Sequence, residues 1–278
     1  MEPWQVACAL VSAMLHAGWN AAVKASARPA EAMTAQMVTS AAIGLPIFFW
    51  TGLPAAPSWI WISGSTALNL VTITALLRAY DLSGFGIAYP VVRALSVLLV
   101  VPLAALLSGE RLSVSGVLGV ALVAASLVLL AIGNRGDRAV KHGALGWIAL
   151  AGVTTAAYVM CDAQGVRRAG SPWTYGCAVS VTNALAMAWA QTKVDRPWRI
   201  VRRHAALAIP IAVASMTSYL LILWVWSRAP IAPAAALRDT SAVFAIVIAI
   251  VWLREPFTRL RLAAILLAAA AVPLLRLA

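Results

Sequence analysis

The stretch YPVVRALSVLLVVP, residues 89–102, holds a permanent cation, Arg93, in a run with no other formal charge from Gly84 to Leu107. A second stretch, AALRDTSAVF at 235–244, sets Arg238 and Asp239 in comparably apolar surroundings. The two are in register. Arg93 and Arg238 stand 145 residues apart, as do Ser96 and Ser241, and Glu110 and Glu255. Further upstream, Trp4 pairs with Trp147, Lys24 with Arg167 and Pro29 with Pro172 at a spacing of 143. One two-residue length difference joins the two registers, and a coherent series of this kind points to two homologous halves, 1–135 and 140–278.

Composition sets the environment of both halves. Of the 278 residues, 63% are hydrophobic and 11% are charged, with a mean hydropathy of +0.89. Soluble domains carry about 25% charged residues, so this chain lacks the charge to cover a water-facing surface. It reads as an all-α integral membrane protein. A helix needs about 20 apolar residues to span the hydrocarbon core, and breaks at Pro, Gly and charge predict ten transmembrane helices. They are 4–24, 31–51, 57–79, 84–107, 113–132, 143–166, 173–191, 204–227, 231–253 and 258–276. No segment alternates with period two, which excludes a β-barrel. Five helices per half is an odd number, so the second half enters the membrane from the opposite side. The expected architecture is two inverted-topology five-helix repeats, a plan in which substrate sites lie near the midplane between the repeats.

Charge predicts orientation. Arg111, Arg167, Arg168, Arg228 and Arg276 fall on the side of the N-terminus, against fourteen Lys and Arg on the other side; the two intramembrane arginines complete the 21. By the positive-inside rule the richer side is cytoplasmic and both termini lie outside. The segment KVDRPWRIVRRH, 193–204, is the strongest anchor, and Trp residues near helix ends, from Trp4 to Trp252, read as interfacial belts. The start, MEPWQVACAL, lacks the positively charged n-region of a cleavable signal peptide. Cys8, Cys161 and Cys177 sit in apolar segments and read as small core residues. The net charge of +12 accompanies no groove-binding motif, so nucleic acid is excluded as a partner and the bilayer expected.

The candidate functional residues are the polar ones in apolar helices. A central Arg costs about 2.5–3.5 kcal/mol on translocon scales, so such residues face an aqueous cavity or a partner. Arg93 and Arg238 offer guanidinium forks to an anionic substrate; the alternative is a pair of buried structural cations. Asp239 need not pair with its neighbour Arg238, since adjacent helical residues point about 100° apart. It can instead meet Arg93 across the halves, as a proton relay or a static partner. His16, Asn20 and Lys24 share one helix face, with Trp19 beside them. His16 titrates near neutral pH and is a second proton-coupling candidate; interhelical hydrogen bonding is the other role open to Asn20, and Lys24 reads as a topology anchor. Tyr89 joins the substrate-binding set, with Asn69, Tyr158, Asp162, Asn183 and Tyr219 as secondary cavity candidates. Glu110 and Glu255 precede Ser113 and Thr258, plausible caps of helices five and ten, and read as structural turns. No metal-ligand cluster, nucleophile arrangement or phosphate loop is present, so neither cofactor nor enzymatic activity is expected.

The ten-helix plan, with GERLS (109–113) and REPFT (254–258) closing helices four and nine, resembles the EamA-type drug/metabolite transporter superfamily over essentially the whole chain. HAGWNAAVK (16–24), YPVVRALS (89–96) and ALRDTS (236–241) resemble a branch carrying H-A-x-W-N, Y-P-x-x-R and A-L-R-E-T-S, with Asp239 replacing the usual Glu. The resemblance implies secondary transport without nucleotide hydrolysis. It also implies a central cavity lined by helices 1, 3, 4, 6, 8 and 9, with 5 and 10 peripheral. Many members have cytoplasmic termini, opposite to the charge count here.

The functional expectation is a proton-coupled exporter of a small metabolite, such as an amino acid or organic anion, in the cell inner membrane, as a monomer or homodimer. Two alternatives remain open at this point. One is efflux of hydrophobic cations by the same fold, and the other a non-transporting membrane scaffold or lipid-interaction protein.

Overall fold

A computed structural model describes residues 1–83, 85–133, 143–192, 195–252 and 258–278. Glu255, Arg254, Arg135, Arg138, Lys141 and Lys193 lie outside the described residues, as does the Lys24 side chain. The described chain is helical with short connections. In order it forms α1 (Pro3–Ala25), α2 (Pro29–Thr51), a 3₁₀ turn (Ala56–Ser58), α3 (Trp59–Ser83), α4 (Phe85–Ser108) and α5 (Val114–Gly133). The second half follows as α6 (Ala144–Arg168), α7 (Pro172–Gln191), α8 (Pro197–Trp226), α9 (Ile231–Asp239), α10 (Ser241–Trp252) and α11 (Arg259–Arg276).

Local chemistry sets the boundaries. Proline, preset for the first helical position, opens α1, α2, α7 and α8. Hydroxyls take the first free N–H groups: Ser113 Oγ accepts from Gly116 N at 3.1 Å, and Thr258 Oγ1 from Arg261 N at 3.3 Å. Gly52, Gly109 and Gly170, with φ between 65° and 80°, reverse the chain just past α2, α4 and α6.

Three predicted boundaries are corrected. α3 continues to Ser83. α8 starts at Pro197 instead of 204, so most of the basic segment 193–204 is the first two turns of a helix opened by Arg196 and Pro197. The predicted ninth helix, 231–253, is interrupted at Thr240, which divides it into α9 and α10. Thr240 turns its hydroxyl onto the Leu237 carbonyl at 2.6 Å, a local bond that competes with continuation of the helix.

Eight helical segments among the described residues are long and apolar enough to cross a membrane, with α9 and the start of α10 counted as one. The protein is an all-α membrane protein. Its surface carries the apolar side chains that a soluble fold would bury, with Phe49 93% and Trp50 92% exposed. Not every tryptophan belongs to that surface, since Trp226 is fully buried.

The packing recurs in matching pairs between the two halves. α5 packs on α11 and α2 on α7; α3 on α6 is mirrored by α8 on α1, and α4 on α6 by α9 and α10 on α1. This is the contact pattern that exchange of the two halves about a two-fold axis produces. Small residues permit the closest approaches: a Cβ at Gly119 would meet Leu275 at 2.7 Å, and one at Gly152 would meet Leu95 at 2.6 Å. Both termini meet on one side, where the Met1 ammonium donates to the Arg276 carbonyl at 2.6 Å.

Two ion clusters tie opposite ends of the bundle. In the first, Glu31 at the start of α2 accepts from Arg28 (3.0 Å) and Arg203 (2.6 Å) and lies 3.3 Å from His204. Arg203 also holds Asp195 at 2.8 Å. The Asp195 carboxyl, receiving the Arg196 backbone N–H and the Arg203 guanidinium, titrates below the usual carboxylate range. The second cluster gives Glu110 a structural role at a longer range than its own turn. Its carboxylate accepts from Ile231 N at 3.0 and 2.8 Å and from Arg167 at 3.1 Å, so it caps α9 in the other half and not the nearby α5.

Candidate substrate cavity

Arg93 sits in the ninth position of α4, about 12 Å along the axis from its start and over 20 Å from its end. Asp239 ends α9, about 12 Å from Ile231. Both therefore lie at mid-depth, and the structure brings them together: Arg93 Nη1 donates to Asp239 Oδ1 at 3.1 Å. Arg93 Nη2 lies 2.7 Å from His16 Nε2. Arginine has donors only, so His16 Nε2 is the acceptor and the ring is neutral with its proton on Nδ1. His16, Arg93 and Asp239 thus form one buried chain running from α1 through α4 to α9.

The remaining sequence candidates gather around this chain. The Tyr89 ring faces the Arg93 guanidinium at 5.2 Å, and its hydroxyl lies 3.4 Å from Ser241 Oγ. Trp19 meets His16 edge-on with centroids 5.1 Å apart, and Asn20 Nδ2 donates to the His16 carbonyl at 2.8 Å. The cavity encloses about 1070 Å³ of non-protein space, its open mouth included. Its wall includes His16, Trp19, Asn20, Tyr89, Arg93 and Arg238, as well as the secondary candidates Asn69, Tyr158, Asp162, Asn183 and Tyr219. Asp239 stands behind Arg93, off the wall.

Arg238 differs from Arg93. Its side chain is buried, its guanidinium faces the Trp226 ring at 5.5 Å, and its Nε and Nη1 have no hydrogen-bond partner. Among the described residues it makes no ion pair, although it lies within electrostatic reach of Asp162, Asp239 and His16. Trp19 Nε1, on the same wall, is likewise a buried donor without a partner. Unmet buried donors are costly and uncommon, and here they belong to residues that line the cavity.

Sequence reasoning missed part of the wall. Beyond the six implied helices, α2 contributes Gln36 and Ser40, and α7 contributes Ser180 beside the expected Asn183. Gln36 Nε2 donates to Ser40 and Ser215, each at 3.0 Å, which binds α2 to α8 at the cavity edge. The i, i+4 spacing of Gln36 and Ser40 was the available signal. As the resemblance implied, α5 and α11 contribute no wall residue.

An all-helical bundle of membrane-spanning length around a charged internal compartment defines the class: a multi-pass membrane protein with a polar cavity inside it. Residues 142–277, the second half, match the model of the EamA-like transporter family. The protein is accordingly a membrane transporter of the drug/metabolite type. A solved structure titled only "Crystal structure of protein" shares the fold with a TM-score of 0.73, at 18% identity over 99% of this chain and 96% of its own. No curated protein matches the sequence.

Proposed function

We propose that the protein is a secondary active, proton-coupled exporter of a small metabolite bearing an anionic group, such as an amino acid or organic anion. It works by alternating access between the repeats 1–135 and 140–278, in the cell inner membrane with both termini outside. The observation that carries this reading is Arg238, a mid-depth cation on the cavity wall whose buried Nε and Nη1 are unmet by protein. Such a group is matched by a carboxylate or another anion. The same observation speaks against hydrophobic cations as substrates.

Coupling rests on the His16–Arg93–Asp239 chain. A proton added at His16 Nε2 removes the lone pair that accepts from Arg93. A proton added at Asp239 weakens the ion pair on the other side. Protonation of Asp239 unfastens α4 from α9, which belongs to the other half, and so links protonation to their relative movement. Protonation of His16 releases Arg93 from α1 and leaves it held by Asp239 alone. Tyr89, Trp19 and Asn20 shape the compartment around the anionic group.

The test is flux in proteoliposomes across a pH gradient, screened over amino acids and organic anions. Wild-type protein is expected to move at least one anionic or zwitterionic solute faster when the gradient is imposed. Arg238→Ala should lose that flux by about tenfold or more while keeping its melting temperature. Flux that is unchanged in Arg238→Ala would remove the arginine from substrate recognition.

A further inference from the structure

The charges around the cavity do not pair off completely. Arg93 and Asp239 neutralise each other at 3.1 Å, which leaves one cation, Arg238, and one carboxylate, Asp162, both on the wall and not bridged to each other. Asp162 sits on α6 and is 1% exposed. Its carboxylate accepts from Ser65 Oγ of α3 at 2.6 Å and Tyr175 Oη of α7 at 3.2 Å, both at Oδ1, and from Tyr219 Oη of α8 at 2.8 Å, at Oδ2. All three partners are neutral hydroxyls, and among the described residues no ion pair reaches it.

A carboxylate has about four acceptor positions, so the three hydroxyls leave one, on Oδ2. The side that remains is the cavity side, because Asp162 and Tyr219 line the wall whereas Ser65 and Tyr175 do not. Three hydroxyls from three helices fix the carboxylate in orientation, and a Cβ at Gly165 would meet the Tyr175 ring at 2.4 Å, so this support is packed tightly from behind. The titratable and charged groups around Asp162 are Tyr175, Tyr219 and Arg238, with Cys161 beside it on α6. Arg93 of α4 is engaged by Asp239 and His16.

The geometry points to Asp162 as a second, anionic pole of the cavity that binds an ammonium or amine group on the transported molecule. Arg238 supplies unmet donors for an anionic group, and Asp162 Oδ2 supplies the free acceptor for a cationic one. The cavity therefore selects a solute carrying both groups over one carrying either alone, as a buried polar group rejects an analogue that leaves it unpaired. This selectivity rests on the transport reading above and narrows its substrate class.

The experiment is binding to purified full-length protein, by calorimetry and thermal shift. The probes are the common amino acids, each compared with its deaminated carboxylate and its decarboxylated amine. In the wild type, at least one amino acid should bind about tenfold or more tighter than either counterpart, the ratio that one charge-assisted hydrogen bond supplies. Asp162→Asn should bring the amino acid and its carboxylate counterpart within about threefold of each other, by weakening the amino acid and leaving the carboxylate unchanged. Tyr219→Phe, which keeps the carboxylate and removes one hydroxyl from Oδ2, should retain or raise the preference, so the inference can be tested even if Asp162→Asn does not fold. Carboxylates binding as tightly as amino acids in the wild type, or an unchanged ratio in Asp162→Asn, would overturn the role of Asp162 while leaving an anion transporter standing. If no probe of any kind binds or moves in flux assays, the transport reading falls, and the selectivity with it.

Discussion

Arg93 and Arg238, 145 residues apart in the sequence, are held in two different ways. In the first half, Arg93 and Ser96 lie within α4, an unbroken helix of 24 residues. In the second, Arg238 and Ser241 flank Thr240, where α9 ends and α10 begins. The arginine of the continuous helix is held from both sides, by Asp239 and His16. The arginine at the interruption has two N–H groups without a partner. The two arginines stand in matching register, and Arg93 ties α4 to α9 and α1 as a strut while Arg238 keeps Nε and Nη1 without a partner. Asp239, which has no acidic counterpart at position 94, an alanine, is what made the difference.

Removing the strut should have the largest effect. Arg93→Ala leaves Asp239 buried with its charge unmatched, and breaking a buried pair from one side costs about 3–5 kcal/mol. The expected outcome is a steep loss of stability in detergent, read by thermal denaturation, and a low yield of folded protein. Arg93→Ala/Asp239→Ala should recover most of that loss, because both charges are then gone. Arg238→Ala, which abandons no close partner, should melt near the wild type. A similar destabilisation in Arg93→Ala and Arg238→Ala would erase the distinction between strut and ligand group.

How much of this was legible follows from what the chain writes locally. The repeat register brought Arg93 and Arg238 to notice, and the helical spacing put His16, Trp19 and Asn20 on the same compartment. The possibility that Asp239 meets Arg93 across the halves also came from that register. The hub at Asp162 was less legible, because Ser65, Tyr175 and Tyr219 come from three different helices and carry no shared spacing. In lipid a helix is apolar on its outer face as well as its packed face, so periodicity did not indicate that α2 borders the cavity, and α7 was marked only by Asn183. The interruption at Thr240 was hidden for another reason. Neither Pro nor Gly marks it, and a single threonine hydroxyl on the preceding turn does the work.

Glu110 tests whether α9 is positioned from its other end. The carboxylate receives two bonds from Ile231 N and one from Arg167, whose guanidinium also donates to the carbonyls of Trp226 (3.0 Å) and Ala229 (2.9 Å). It thereby fixes the start of the short helix whose last turn carries Arg238 and Asp239. A lost cap with its charge–dipole term costs about 1 kcal/mol. Glu110→Gln should therefore lower stability by about that amount and weaken substrate binding modestly, with the maximal rate retained. A large loss of rate with normal stability would mean that Glu110 takes part in the transport cycle and is more than a cap.

The smallest expected effect bears most directly on the comparison. Position 95, the counterpart of Thr240 at the spacing of 145, is leucine, and α4 runs through it without a break. Thr240→Ala removes the hydroxyl that bonds the Leu237 carbonyl at 2.6 Å, together with the γ-methyl. The carbonyl is then free to join an unbroken helix, so the lost bond, worth about 0.5–1.5 kcal/mol, is partly offset by regained backbone pairing. Stability should change by less than about 1 kcal/mol. A helix that continues through 240 would turn Arg238 relative to Asp239, and both relative to Arg93. The variant should therefore fold like the wild type and bind its solute more weakly. Wild-type affinity in Thr240→Ala would mean that the interruption is a local irregularity, and that Arg238 is kept available by Trp226 and the surrounding packing alone.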